Sequence, residues 1–296
     1  MKWGAHAFLW TETLDTAGIL ALLPRVADLG LDYLELPIGD DWPVDGKAVG
    51  RHARELGLGL VIGPGGNWPM ACDLSLPEAA DRERAWAWHE RALHLAADMG
   101  AVAYTGALYS HPGHVLRGPL PADEWPRVVA AMHRLGARAA SLGVQVALEP
   151  MSRFRTHLIN TPSQLMGLLR AADHPNLYAL FDTYHALAEV NSFPAALTEL
   201  MPRLWGLHAC ENTRGVPGSG YLPWSAIAAT LQAANWQGYL AFETYNTAIR
   251  GGIFARERGI FQDLCPDGDA FFRQGRAYLE PLLRLRANGP SQISPG

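Results

Sequence analysis

The feature that most constrains the fold is an alternation of short apolar runs with longer amphipathic stretches, repeated eight times. The short runs have the length of strands, and the longer stretches place apolar residues at helical spacing. The predicted strands are residues 4–8, 33–36, 58–62, 102–104, 144–149, 177–182, 204–208 and 239–243. The predicted helices are 16–29, 45–56, 76–99, 122–142, one starting at Thr161-Pro162, 193–201, 224–234 and 267–285.

Strands that alternate with helices predict a parallel sheet covered by helices. Eight such units predict a closed (β/α)8 TIM barrel, which needs roughly 250 residues, and the chain has 296. A doubly wound open sheet is the alternative, but no Gly-x-Gly-x-x-Gly follows an early strand. We expect one catalytic domain over residues 1–288, with its active site at the carboxyl ends of the strands. Residues 289–296, rich in Pro, Ser and Gly, are expected to form a frayed tail.

Composition argues against several classes of protein. The net charge is −5, whereas a nucleic-acid surface needs clustered Lys and Arg. No uncharged apolar stretch reaches the about 18 residues of a membrane span, and the N-terminal residues lack the apolar run of a signal peptide. The three cysteines, Cys72, Cys210 and Cys265, are too few and too scattered for a disulfide framework. We therefore expect a cytoplasmic protein that binds neither nucleic acid nor membranes.

Four successive predicted strands each end in a residue type that binds metals: Glu149, Asp182, His208 and Glu243. The carboxyl ends of barrel strands surround one mouth, so these side chains are expected to converge. Any one of them alone is more simply a cap, a surface charge or a hydrogen-bonded core histidine. Three carboxylates packed around an imidazole would repel one another unless a cation lay among them. The pattern therefore predicts one divalent metal ion, and the mixed oxygen and nitrogen set suits Mn²⁺, Co²⁺, Mg²⁺ or Zn²⁺.

At these positions the chain resembles the xylose-isomerase-like sugar isomerase and epimerase superfamily, and within it the ketose 3-epimerases (D-tagatose, D-psicose and L-ribulose 3-epimerases). The resemblance covers nearly the whole chain and is sharpest between strands five and eight. The motifs that carry it are LEPMSRF (148–154), DTYH (182–185), HACENTRG (208–215) and FETY (242–245). It implies a homodimer or homotetramer that acts on a small sugar, with Mn²⁺ as the first expectation for the metal.

The resemblance also implies roles for single residues. Glu149, Asp182, His208 and Glu243 correspond to the metal ligands of the family, and Glu149 and Glu243 to its two proton-transfer carboxylates. His185 and Arg214 correspond to residues that hydrogen-bond the sugar's oxygens. The chemistry is coherent in itself, because a metal acidifies the C3 proton of a ketose by stabilising the enediolate. Epimerisation at C3 then requires one carboxylate on each face of that carbon.

Arg155 departs from the family pattern. The ketose 3-epimerases usually carry a Glu six residues after the first ligand, in an Arg-Phe-Glu string, whereas this chain has Arg153-Phe154-Arg155. A guanidinium near the pocket leaves a sugar phosphate or sugar acid as an open alternative substrate. Keto-glycoside epimerases, hydroxypyruvate-isomerase-like enzymes and inosose-dehydratase-like lyases use the same scaffold and remain further alternatives. Apurinic endonucleases share it too, but need more metal ligands and basic loops, and a non-catalytic regulator would not need both carboxylates.

Other residues have two interpretations each. His6 and Trp10, at the end of strand one, are expected to face the mouth, where Trp10 either stacks on the sugar or roofs the barrel. Glu211 either supports His208 or Arg214, or caps a loop. Glu35 ends strand two and can reach the pocket. The segment 249–263 is long for a connection, so it either covers the mouth or forms an oligomer contact.

Overall fold

The strands of the computed structural model, which describes residues 1–39, 43–65 and 68–284, form a closed parallel barrel. Neighbours pair in sequence order and β8 closes on β1. The strands are Lys2–His6 (β1), Tyr33–Pro37 (β2), Gly59–Gly63 (β3), Ala103–Gly106 (β4), Gln145–Leu148 (β5), Leu177–Asp182 (β6), Leu204–Ala209 (β7) and Tyr239–Phe242 (β8). The predicted (β/α)8 barrel is confirmed; the predicted tail and residues 285–288 lie outside the described residues.

Helices alternate with these strands. The α-helices of the described residues are Thr16–Asp28 (α1), Gly46–Glu55 (α2), Ala79–Met99 (α3), Glu124–Ser141 (α4), Pro162–Ala172 (α5), Thr183–Ala186 (α6), Phe193–Leu200 (α7), Trp224–Ala233 (α8), Ile253–Arg256 (α9) and Gly268–Arg284 (α10). Short 3-10 turns cover Ala7–Leu9, Met70–Cys72, Met201–Arg203 and Ile249–Gly252. Helix α5 begins as predicted, with Thr161 as N-cap, Pro162 in the first turn and a capping box with Gln164. None of the described helices has the length and apolar character needed to cross a bilayer.

Aromatic side chains close the amino-terminal end of the barrel. Trp205 stacks on Tyr239 with ring centroids 4.4 Å apart, and Tyr33 meets Tyr239 edge-on at 5.2 Å. Gly4 makes room for this layer, since a Cβ there would lie 2.4 Å from the Tyr33 ring. The barrel is therefore packed rather than open at this end, as in other barrels of this type.

Toward the carboxyl ends of the strands, the residues that point into the barrel are polar. Side chains on a strand alternate between its two faces, so a residue two positions after a packed interior residue also points inward. The pairs of packed and polar residues are Tyr33 and Glu35, Ala103 and Thr105, Ala147 and Glu149, Leu180 and Asp182, and Ala241 and Glu243. The polar layer thus lies on a rigid apolar floor, which fixes the positions of its side chains.

Candidate metal centre

The four residues that the sequence singles out as metal ligands converge at the carboxyl end of the barrel. Glu149, Asp182, His208 and Glu243 each offer one ligand atom, and these atoms all lie within 4.8 Å of one another. All four side chains are buried. Asp182 and His208 lie on β6 and β7, whose register pairs them directly, and Glu149 and Glu243 directly follow β5 and β8. The structure therefore brings together a donor set of three carboxylates and one imidazole that a divalent cation can occupy.

Asp182 divides its two oxygens between a helix cap and the cluster. Its Oδ1 accepts hydrogen bonds from the backbone N–H groups of Tyr184 at 2.6 Å and His185 at 3.3 Å, which caps α6. Its Oδ2 is buried and accepts no hydrogen bond, although Arg214 Nη1 lies 3.0 Å away. The charge of Arg214 offsets part of the cost of burying this oxygen, but the oxygen still lacks a hydrogen-bond donor, as fits a ligand to a metal ion.

His208 stands at the centre of the carboxylates. Its Nδ1 lies 2.9 Å from both Glu149 Oε1 and Glu243 Oε2, and its Nε2 lies 3.0 Å from Glu35 Oε2. Burial alone would lower the pKa of His208, but the three carboxylates raise it well above its usual value. Without a cation, a protonated imidazole supplies the positive charge that this cluster needs.

The two glutamates of the cluster have opposite electrostatic environments. Burial raises the pKa of Glu149 to about 7, and the charges of Asp182 and Glu243 act in the same direction. Burial would also raise the pKa of Glu243, but Arg214 and His208 bring it well below its usual value. Two carboxylates in one cavity whose pKa values are moved apart are typical of acid and base pairs in active sites.

Arg214 links the cluster to His185, the other residue to which the family resemblance assigns sugar binding. Its Nη1 donates to Glu243 Oε2 at 2.9 Å, and its Nη2 lies 3.2 Å from His185 Nε2. The guanidinium also lies over the Tyr184 ring, 4.4 Å from the centroid. The backbone of Arg214 has φ +68°, an unfavourable value for a non-glycine residue, and Thr244 Oγ1 donates to its carbonyl at 2.7 Å. The strained backbone of Arg214 is therefore maintained at a point where it places the charged guanidinium beside the cluster.

A cavity of about 480 Å³ opens beside this cluster. Its walls include His6, His185, Arg155 and Arg214, as the sequence predicts for the pocket, together with Glu35. Burial lowers the pKa of both His6 and His185 to about 4, so these rings are neutral near pH 7. The Arg155 side chain is exposed at the mouth, and its Nη2 lies 3.5 Å from the carbonyl of Pro112.

Two of the predicted substrate residues lie elsewhere. Trp10 is outside the cavity wall: its indole Nε1 donates to Asp269 Oδ1 at 2.7 Å. This position favours the prediction that Trp10 roofs the barrel, and it does not support stacking of Trp10 on a sugar. Glu211 also lies outside the cavity wall and accepts from Gly218 N at 2.8 Å and Trp224 Nε1 at 2.6 Å. Its side chain therefore fixes a loop and does not contact the cavity.

Several residues of the cavity wall are not among those that the sequence predicts. Tyr184 and Tyr245 line the cavity. They lie inside the motifs DTYH and FETY, so the predicted site residues beside them in the sequence could have indicated their position. Glu257 and Arg258 line it as well. They belong to the segment 249–263, which therefore covers the mouth, one of its two predicted positions. Nothing in its sequence indicated which cavity residues it would supply.

Comparison with known proteins agrees with this geometry. A family model described as "Xylose isomerase-like TIM barrel" matches residues 23–264. The chain is 26% identical over 283 residues to a ketose 3-epimerase of Arthrobacter globiformis, covering 96% of this chain and 97% of that protein. It is 26% identical over 276 residues to an L-ribulose 3-epimerase of Mesorhizobium japonicum, covering 93% of this chain and 92% of that protein.

A solved structure of L-ribulose 3-epimerase has the same architecture, with a TM-score of 0.87 and 25% identity. The match covers 95% of this chain and 94% of that chain. These findings confirm the resemblance that the motifs predict. Because the family model spans more than half of the chain, the protein belongs to the xylose isomerase-like TIM barrel family.

Proposed function

We propose that the chain is a divalent-metal-dependent ketose 3-epimerase. The observation that carries the proposal is the placement of Glu149 and Glu243, directly after β5 and β8, each 2.9 Å from His208 Nδ1 in one buried cluster. Two carboxylates that approach one point from different strands can serve the two faces of a single carbon. The two relatives described above match nearly the whole chain and carry the names of 3-epimerases, which supports the same reaction.

We propose Mn²⁺ as the ion, since a set of three carboxylates and one imidazole suits a borderline cation that accepts both oxygen and nitrogen. When bound, the ion would stabilise the negative charge that develops on the sugar oxygens. The ligands would be Glu149, Asp182, His208 and Glu243.

The reaction moves one proton at C3 of the ketose. One carboxylate of the pair Glu149 and Glu243 takes the C3 proton, and the electrons of the broken C–H bond pass into an enediolate. The other carboxylic acid then gives a proton to the opposite face of C3, and the new C–H bond has the inverted configuration. The reaction is reversible, so each carboxylate acts as base in one direction and as acid in the other.

Arg214 and His185 hold the sugar's oxygens next to these carboxylates. Arg214 is charged at any working pH and is fixed by Glu243 and Tyr184, so it can polarise an oxygen without reorganising. His185 is neutral near pH 7, so it either donates a hydrogen bond to the substrate or accepts one from it. His6 completes the polar wall, and Arg155 borders the mouth, where it meets the distal end of the sugar.

The other reactions on this scaffold are not favoured. Keto-glycoside and sugar-phosphate epimerases, hydroxypyruvate-isomerase-like enzymes and inosose-dehydratase-like lyases could use a similar cluster. The two relatives described above, each matched over more than nine-tenths of this chain, carry the names of 3-epimerases instead. A non-catalytic sugar-binding regulator would not need both Glu149 and Glu243 buried beside a cavity.

We infer a cytoplasmic homodimer or homotetramer. All three cysteines are buried, and Cys210 and Cys265 are free thiols, which suits a reducing compartment. Phe154 and Phe261 are 74% and 80% exposed near the cavity mouth and at the end of the covering segment. A second copy of the chain packed against these two segments would remove both side chains from water.

The proposal is tested by proton exchange. The Mn²⁺-loaded protein is incubated in D2O with a panel of ketoses, keto-glycosides and sugar phosphates, and products are followed by NMR. We expect deuterium at C3 of a ketose and the appearance of both C3 epimers. Absence of exchange with every ketose would contradict the proposal.

Replacement of one carboxylate tests the two-carboxylate mechanism. Glu243→Gln should lower kcat by about 100-fold to 10,000-fold, because general acid–base catalysis of this step is lost. Glu199→Gln, the same change at an exposed site on α7, should retain full turnover. Full activity of Glu243→Gln would exclude the mechanism.

A further inference from the structure

A fifth buried carboxyl group, outside the four predicted ligands, contacts the cluster from the opposite side of the barrel. Glu35 on β2 is 3% exposed, and its Oε2 lies 3.0 Å from His208 Nε2. Its Oε1 accepts a hydrogen bond from Thr105 Oγ1 on β4 at 2.8 Å. Both of its oxygens are therefore engaged, one by the imidazole and one by the hydroxyl group.

The two nitrogens of His208 face different partners. Nδ1 faces Glu149 and Glu243, whereas Nε2 faces Glu35. A neutral imidazole carries one N–H donor and one lone pair, and the partner of one nitrogen decides which is which. An ionised carboxylate only accepts hydrogen bonds, so Glu35 holds the proton on Nε2 and leaves the lone pair on Nδ1.

Glu35 presents Oε2 to the imidazole, while its other oxygen, Oε1, accepts the hydroxyl hydrogen of Thr105. Thr105 Oγ1 orients the carboxylate by its hydrogen bond to Oε1, so that Oε2 remains directed at the ring.

We propose that Glu35 is a positioning residue: supported by Thr105, it fixes the ring and tautomer of His208 so that Nδ1 is the atom presented to the metal. This inference rests on the metal site of the proposed function and adds two residues from β2 and β4. Carboxylates in this position usually hold metal-bound histidines in place, and their loss lowers metal affinity by about 10-fold to 100-fold.

The test is the affinity for Mn²⁺ alone, measured without sugar by electron paramagnetic resonance of the free ion. Glu35→Leu removes the acceptor and should raise the Kd by about 10-fold to 100-fold. Glu35→Gln keeps an acceptor oxygen for Nε2–H, so its Kd should stay closer to the wild-type value than that of the Leu variant. Thr105→Val should raise the Kd in the same direction, and circular dichroism checks that each variant is folded.

Glu124→Leu is the matched control. Glu124 is also buried and its Oε1 lies 3.1 Å from a histidine nitrogen, His157 Nε2, but neither residue lines the cavity. Its Mn²⁺ affinity should equal that of the wild type. If the loss of any buried carboxylate weakens binding, Glu124→Leu will weaken it as much as Glu35→Leu, and this result would overturn the inference.

The remaining outcomes separate this inference from the proposed function. Wild-type affinity in both Glu35→Leu and Thr105→Val would overturn the role of Glu35 and leave the metal site intact. If Glu35→Leu does not fold, an unchanged Kd in Thr105→Val is sufficient to overturn it. Failure of the wild type itself to bind Mn²⁺ would overturn both the metal site and the role of Glu35.

Discussion

At the scale of single residues, Arg214 shows how geometry as well as charge defines the site. Its Nη1 contacts Asp182 and Glu243 at 3.0 and 2.9 Å, while Nη2 lies 3.2 Å from His185. The planar guanidinium makes these contacts while lying over the Tyr184 ring. A lysine ammonium has the same charge, but it cannot extend two donors in one plane or stack in this way.

Arg214→Lys should therefore lower kcat/KM by about 100-fold or more, as the loss of one preorganised donor does in other active sites. The measurement is the rate of ketose epimer interconversion by the Mn²⁺-loaded variant. Arg134→Lys is the control, because Arg134 also lies over an aromatic ring, that of Trp86, but on an exposed helix face away from the cavity. Comparable kcat/KM values for the two variants would show that Arg214 supplies only charge.

The sequence allows the four clustered residues to be predicted, because each one ends an apolar strand and barrel topology places all strand ends together. The function of Glu35 could not be predicted in this way. Glu35 also lies near the end of its predicted strand, but its partner depends on the direction of the His208 ring, which no spacing encodes. Trp10 shows the opposite case. Its place at the end of the first predicted strand predicted a side chain that faces the mouth, but its indole donates a hydrogen bond to Asp269 on α10 instead.

At the scale of elements, the loop between β7 and α8 depends on one buried carboxylate. Glu211 Oε1 accepts from Gly218 N and Trp224 Nε1, and Oε2 accepts from Leu222 N at 3.2 Å. Gly220 is required by this arrangement, since a Cβ there would lie 2.6 Å from Glu211 Oε2. The same turn carries Arg214, whose backbone N–H donates to the Glu211 carbonyl at 2.9 Å. The loop and the active-site arginine are thus fixed together.

Glu211→Gln should lower the free energy of unfolding by about 1–3 kcal/mol, because the new amide NH2 faces backbone donors that then lack an acceptor. Denaturant unfolding of the metal-free protein measures this change. Glu199→Gln, at an exposed site, should stay within about 0.5 kcal/mol of the wild type. Equal stability of the two variants would mean that Glu211 does not stabilise the loop.

Long elements could be predicted from the sequence and short ones could not. Helices α3 and α4, with 21 and 18 residues, repeat the helical spacing often enough for their position to be recognised. Helices α6 and α9 have four residues each, too few for any periodicity. Helix α6 forms because Asp182 caps it, so a metal-site residue determines an element that sequence patterns do not indicate.

At the scale of the whole molecule, buried polar groups outside the cluster link the stability of the barrel to pH. His89 on α3 is fully buried and joins three parts of the fold. Its Nδ1 lies 2.8 Å from Tyr104 Oη on β4, and its Nε2 lies 3.1 Å from the Cys72 carbonyl, which can only accept. The neutral ring with a proton on Nε2 satisfies both partners.

Burial lowers the pKa of His89 from its ordinary value near 6.5 to about 4. Between these values the unfolded chain binds a proton that the folded protein excludes, so stability falls as pH decreases and is fully present above about 6.5. From pH 7 to pH 5 this single residue should cost about 2 kcal/mol of unfolding free energy. Denaturant unfolding of wild type and His89→Phe in EDTA at both pH values isolates the effect, because the lost hydrogen bonds of the variant weaken it equally at each pH. The wild type should lose about 2 kcal/mol more than the variant over this range, and parallel losses would mean that the folded barrel accommodates the charged ring.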